Sequence, residues 1–201
     1  MRKHPLKIFW IRHAPVEKSG RYIGQTDIPA IIPEQAANLA MDLPKNSLWF
    51  SSPLLRSKQT ANWLMASYPQ MMIPEIDIAS ELSEQNFGVW EGKTYDEVWS
   101  DEETLAQSQD WTNPAIVKPE GGESFIGVCA RVDHWIEERM AEDFGLPLVV
   151  VAHSGTIRAA LRHALNLVPS QALSFAVDYG SVTEVEYAPS ENTAMVHFVN
   201  R

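Results

Sequence analysis

Three short apolar runs in this chain end in residues able to handle phosphate. Leu6 to Ile11 leads into Arg12-His13. Ser47 to Ser51 leads into Ser52, with Arg56 one turn into the segment that follows. Leu146 to Ala152 leads into His153-Ser154-Gly155. Parallel strands in an open sheet present ligands beyond their carboxyl ends, so these runs would set Arg12, His13, Arg56 and His153 along one rim. Two guanidiniums offer planar forks that match phosphate oxygens. Helices starting after the second and third runs would add backbone N–H donors. A histidine that attacks phosphorus must be neutral at one nitrogen. Nearby arginine charges disfavour the imidazolium and stabilise the equatorial oxygens of the transition state. A phosphohistidine splits hydrolysis into two displacements, and the leaving alkoxide then needs a proton donor, usually a carboxylic acid. No GxxxxGK[ST] or GxGxxG loop is present, which excludes the common nucleotide cradles.

Taken singly, these residues carry bland readings too. An Arg-His pair after a strand is commonly an edge feature. His153 would serve equally as a core histidine at a helix start. Glu81, Glu84 and Glu91 all lie in an irregular segment where acidic side chains are mostly solvated.

The elements that must position the rim follow from periodicity. Strands are predicted at Leu6 to Ile11, Ser47 to Ser51, Ile73 to Ala79 and Leu146 to Ala152, the last being continuous and β-branched. The tail predicts a hairpin, Val182 to Tyr187 and Ala194 to Val199, turning at Pro189 to Asn192. Helices are predicted at Pro33 to Leu43, after Ser52-Pro53, at Glu123 to Met140 and at Thr156 to Leu167, with short ones near 94–100 and 102–110. Ser52 and Pro53 read as N-cap and first helical residue. The expected fold is α/β: a three-layer α/β/α sandwich on a mostly parallel mixed sheet. It forms one domain over residues 1–201, with an irregular, aromatic-rich, lid-like insertion at about 80–122. Trp90, Tyr95, Trp99 and Trp111 in that insertion make either a satellite core or a wall over the pocket.

The chain has 201 residues, 45% apolar and 21% charged, which fits a globule and excludes disorder and coiled coil. With 26 acidic and 16 basic residues its net charge is -10, so nucleic acid is not an expected partner. No apolar run approaches a membrane span, so no membrane partner is expected. The early apolar run is interrupted by Lys7 and resembles no secretory leader. With a single cysteine, Cys129, on a buried helical stripe, a cytoplasmic location is expected. His134 is expected to be solvated. No histidine pairs with acids or thiols at zinc spacing, so neither metal nor cofactor is expected.

Four blocks then carry a family resemblance. Arg12-His13-Ala14 resembles the RHG signature of the histidine phosphatase superfamily, the phosphoglycerate-mutase-like proteins. Ser51 to Ala61 resembles its second signature, whose Arg is Arg56 here. Leu82 to Gly92 resembles the third, with Glu84 at the proton donor's position. Val150 to Arg158 resembles the fourth, with His153 as second catalytic histidine. Tyr22 to Asp27 and Gly121 to Ser124 resemble the α-ribazole phosphatase branch and its broad-specificity relatives. The resemblance implies catalytic His13, Glu84, His153, Arg12 and Arg56, with Arg12, Arg56, Gln25 and the Ser154 backbone at the phosphate. The implied function is hydrolysis of a small phosphomonoester through phosphohistidine, with α-ribazole 5′-phosphate as the substrate suggested by the branch. Ala14 and Ser154 replace glycines of the family pattern, and Glu17 stands where many relatives carry Asn. Phe87 and Tyr95 occupy positions where mutases use Tyr and Lys, which favours hydrolysis. A mutase-type phosphoryl transferase and a non-catalytic phosphate-binding module are the alternatives. Oligomeric state has no sequence signal.

Overall fold

The computed structural model describes residues 4–17, 20–33, 43–67, 75–101, 113–142, 144–188 and 193–201. Most of the expected helix at Pro33 to Leu43, the short helix near 102–110, Trp111 and the turn at Pro189 to Asn192 lie outside the described residues. Six strands form one mixed sheet: β1 (Leu6–Arg12), β2 (Leu48–Ser51), β3 (Ile76–Ile78), β4 (Leu148–Ala152), β5 (Val182–Tyr187) and β6 (Ala194–Phe198). Their order is β3-β2-β4-β1-β5-β6. β3, β2, β4 and β1 run parallel, and β5 and β6 add an antiparallel edge.

Alternation along the strands feeds two cores. Leu6, Ile8 and Trp10 of β1 face one side with Val150 of β4. There they meet α3 (Phe125–Ala141) and α4 (Ser154–Leu165), numbered after α1 (Leu55–Ser67) and α2 (Tyr95–Trp99). Phe9 and Ile11 face the other side with Trp49, Val149 and Val151, covered by Ala61 and Leu64 of α1. The result is the expected three-layer α/β/α arrangement. The apolar stripe of α3 is buried as its spacing requires, and Ser124 caps its start by accepting from Gly127 N–H. Cys129 is in that stripe, and burial pushes its thiol up to about 11. His134 lies on the solvent side and meets Glu138 one turn on. No helix among the described residues is long and apolar enough to cross a membrane.

Several boundaries differ from expectation for physical reasons. α1 starts at Leu55, whose N–H is taken by Asp27, while the Ser52 hydroxyl accepts from Leu54 N–H ahead of the helix. Ser52 and Pro53 therefore precede the helix. α4 starts at Ser154 rather than Thr156, directly after His153, which is extended. α4 ends at Asn166, whose left-handed backbone (φ 49) closes the helix. β3 is only three residues long and half exposed at the sheet edge. A short helix, α5 (Pro169–Ala172), had no sequence signal beyond Pro169 at its first position.

Trp135 anchors the larger core. Its ring lies 5.7 Å from Trp10 and 5.3 Å from Phe50, both edge-on. Trp135→Ala is expected to lower the unfolding free energy by roughly 3–5 kcal/mol, read from urea denaturation.

Candidate active site

Strand register builds the rim. Arg12 pairs with Ala152 across β1 and β4, and Ser51 with Val151 across β2 and β4. The next residues out stay hydrogen-bonded to the sheet. His13 N–H donates to the Ala152 carbonyl (3.0 Å) and Ser52 N–H to the Val151 carbonyl (3.0 Å). His13, Ser52 and His153 thus end on adjacent rungs, and the two imidazole rings lie 5.0 Å apart.

The hydrogen bonds of His13 settle its tautomer. Nδ1 lies 2.7 Å from the Ala14 carbonyl, which only accepts. Nε2 lies 3.1 Å from Arg56 Nε, which only donates. The proton therefore sits on Nδ1, and Nε2 carries a lone pair. Burial first, and then the Arg56 and Arg12 charges, push the His13 pKa down to about 3. His153 is fully buried and is also driven well down, by burial and then by His13 and Arg56. His153 Nε2 meets the Ser52 hydroxyl at 2.7 Å, and its Nδ1 has no protein partner.

Arg56 is 1% exposed, yet no carboxylate lies within ion-pair distance among the described residues. Its terminal nitrogens donate to the Gly24 (2.6 Å) and Thr26 (2.9 Å) carbonyls. That loop is held from behind by Glu91, which accepts from the N–H groups of Gly24, Gln25 and Thr26 and from the Thr26 hydroxyl. Arg12 donates to the Val177 carbonyl, and its guanidinium lies 3.6 Å over the Tyr179 ring. Tyr179 also sits 5.4 Å from the His13 ring.

Glu84 arrives from the other side of the cleft and is 7% exposed. Its carboxylate accepts from Gln85 N–H (3.0 Å), Gly155 N–H (3.3 Å) and the Ser154 hydroxyl (3.3 Å). The early start of α4 creates the Gly155 contact. A Cβ at Gly155 would run into the Glu84 carboxylate, so a side chain there would displace the carboxylate from this position. The Glu84 main-chain carbonyl is pinned by Arg131 (3.2 Å), itself paired with Glu123 (2.9 Å). Glu123 also accepts from Asn86 N–H, which gives the Gly121 to Ser124 segment its structural part.

These groups open into one cleft of about 280 Å³. Arg12, His13, Arg56, Glu84 and Ser154 line it, and His153 lies behind His13. Gln25 is exposed and does not line it; its side-chain amide donates to the Glu84 carbonyl at 3.3 Å. Trp90, Tyr95 and Trp99 form a wall of the cleft. They do so from a small separate core in which Tyr22 contacts Phe87, Trp90 and Tyr95 edge-on or tilted, so these three aromatics both pack together and line the cleft. Tyr179 and Arg158 also line the cleft, and sequence reasoning assigned neither a role. Arg158 stood within the fourth block, whereas Tyr179 had no signal. Among the described residues no group of three or more His, Cys, Asp or Glu is placed to hold a metal ion.

The lowered histidines couple stability to pH. Above about 6.5 both folded and unfolded rings are neutral, and the stability is complete. As pH falls toward 3 the unfolded chain gains protons that the folded His13 refuses, so stability is lost. Urea titrations in phosphate-free buffer should show unfolding free energy falling between pH 6.5 and 4. His13→Gln should flatten this slope by up to about 1.4 kcal/mol per pH unit.

Comparison with known proteins agrees with this geometry. The family model described as "Histidine phosphatase superfamily (branch 1)" matches residues 8–200. Phosphoserine phosphatase 1 of Hydrogenobacter thermophilus is 29% identical over 197 residues, covering 94% of this chain and 90% of that protein. A 2,3-bisphosphoglycerate-dependent phosphoglycerate mutase of Gloeobacter violaceus is 27% identical over 168 residues, covering 79% and 74% respectively. The α-ribazole phosphatase of Shigella flexneri has the same fold, with a TM-score of 0.74 at 20% identity over 98% of this chain and 96% of that one. Since the match runs from the middle of β1 to the chain's last residues and takes in every strand of the sheet, this chain belongs to the histidine phosphatase superfamily, whose enzymes here are phosphatases and mutases.

Proposed function

We propose that this chain is a phosphomonoester hydrolase that passes the phosphoryl group of a small metabolite to His13 Nε2 and then to water. The observation that carries the reading is a buried cation without an ion-pair partner. Arg56 and Arg12 flank an imidazole lone pair, and neither has a carboxylate partner among the described residues. A phosphoryl dianion supplies that charge and accepts from both forks.

The chemistry then runs in two displacements. Phosphorus bonds to His13 Nε2 as its bond to the leaving oxygen breaks, and Glu84 gives that oxygen a proton. Water next attacks phosphorus, the N–P bond breaks, and Glu84 takes the proton from the water. Arg12 and Arg56 hold the equatorial oxygens throughout. In this reading the Ser52 hydroxyl, which accepts from Leu54 N–H, gives its proton to His153 Nε2. The His153 ring proton then lies on Nδ1, where a phosphoryl oxygen is the partner it lacks. Ser154 lies beside Glu84 at the same oxygens. Gln25 acts through the Glu84 main chain. No metal or cofactor enters the scheme.

Hydrolysis is favoured over mutase chemistry because Phe87 and Tyr95 line the cleft, whereas Lys93 and Lys118 do not. The reading places the enzyme in the cytoplasm, where small phosphorylated metabolites turn over. α-Ribazole 5′-phosphate belongs to the substrate panel, together with O-phosphoserine, sugar phosphates and nucleotides.

Brief mixing with p-nitrophenyl phosphate should trap a phosphoenzyme that survives alkali and is lost in acid. His13→Ala should abolish both the adduct and turnover. An acid-stable adduct, or thermal stabilisation by phosphate with no turnover across the panel, would refute the reading. Glu84→Gln should slow alkyl phosphates by about 10²–10⁴-fold and p-nitrophenyl phosphate much less, because nitrophenolate needs no proton to leave. Equal slowing of both would remove Glu84 from the role of acid. Interconversion of 3-phosphoglycerate and 2-phosphoglycerate in the presence of 2,3-bisphosphoglycerate would favour the mutase instead.

A further inference from the structure

The cleft contains another guanidinium that the phosphoryl chemistry leaves unused. Arg158 stands one turn beyond Ser154 and Gly155 on α4, the two residues that touch the Glu84 carboxylate. Its Nε donates to the Phe175 carbonyl at 2.9 Å. That bond orients the fork and leaves both terminal amino groups without a protein partner among the described residues. Arg158 lines the cleft one turn from the residues that hold the Glu84 carboxylate, the side from which the leaving group departs in the proposed reaction. Arg21 is the other remaining cation of the cleft, and it is already tied to the Gly92 carbonyl and to Glu97.

We propose that Arg158 determines specificity by binding a carboxylate on the leaving group of the substrate, an inference that rests on the hydrolase reading above. A planar fork with two free parallel N–H groups matches a carboxylate in bidentate fashion. One such fork balances a monoanion. A second phosphoryl dianion would need another free cation, and the surrounding wall of Tyr95 and Trp99 offers none. The whole chain carries a net charge of -10, so attraction of an anionic metabolite depends on these local cations. The cleft of about 280 Å³ suits a leaving alcohol of a few carbons, with its acid group on the Glu84 side.

Matched substrates test this directly. Phosphoglycolate is compared with ethyl phosphate, and O-phosphoserine with O-phosphoethanolamine. The wild-type enzyme should favour the carboxylate member of each pair by about 10- to 100-fold in kcat/KM. Arg158→Met should bring both ratios close to one, and Arg158→Lys should restore part of them. Because each ratio is internal to one variant, a general loss of stability cancels. Thermal shifts with the same four compounds supply a readout independent of turnover: phosphoglycolate should stabilise the wild type more than ethyl phosphate does, and Arg158→Met should erase the difference. Ratios near one in the wild type, or ratios unchanged by Arg158→Met, would overturn the proposal while leaving hydrolysis standing. So would a stronger Arg158-dependent preference for propane-1,3-diyl bisphosphate over propyl phosphate. Absence of turnover with every monoester would count against the hydrolase reading, and the thermal shifts would still decide the fate of Arg158.

Discussion

A guanidinium buried beside a neutral imidazole is the arrangement on which the rest of the site depends. Arg56 is removed from water, and its hydrogen bonds go to two peptide carbonyls and the lone pair of His13, with no carboxylate in ion-pair contact among the described residues. Such a charge is costly to bury unless something compensates it. Here the compensation is incomplete by one anion. Burial and that same charge keep the imidazole unprotonated, so in the proposed reaction one side chain prepares both the nucleophile and the seat for the group it attacks.

An acidic protein must still present positive potential at that point. The structure does so by turning several carboxylates away from the cleft and using them as braces. Glu91 gathers three N–H groups and a hydroxyl of the loop whose carbonyls hold Arg56. Asp27, in the same loop, takes the first free N–H of α1, the helix that carries Arg56. Glu123 pairs with Arg131 and so fixes the backbone of Glu84. These acids stand one layer behind the arginines, where they set geometry while leaving the arginine forks without ion pairs. Among the described residues Glu84 is the one acid that lines the cleft, and its carboxylate fills the space that a side chain at Gly155 would take.

The cleft is asymmetric as a consequence. One end is a cup of donors at the carboxyl ends of β1 and β4, and the other is an aromatic wall built on the small core around Tyr22 and Val98. The wall residues contribute area and exclude water, while the polar groups determine orientation. Stacking of Arg12 on Tyr179 joins the cup to the loop before β5, so the antiparallel edge of the sheet also helps to hold the cup.

Much of this was legible from local pattern. The identity of the residue after each strand, the apolar stripe of α3 and the terminal hairpin depend on neighbours a few positions away, and periodicity reports them. Arg12, His13, Arg56 and His153 could be placed on one rim because parallel strands deliver their ends to the same edge. Glu84, by contrast, was selected among three acids only by family spacing. Its contacts reach across 70 and 71 residues to Ser154 and Gly155. Gln25 turned to a main-chain carbonyl 59 residues away instead of the cleft. Tyr179 and the free fork of Arg158 gained their places from partners that no window of sequence contains. The sequence by itself determined which chemical groups end each strand, because that is written in consecutive residues. The tertiary structure alone decided which of them meet and which remain unpaired, because register, helix starts and long-range hydrogen bonds are settled only when the layers pack.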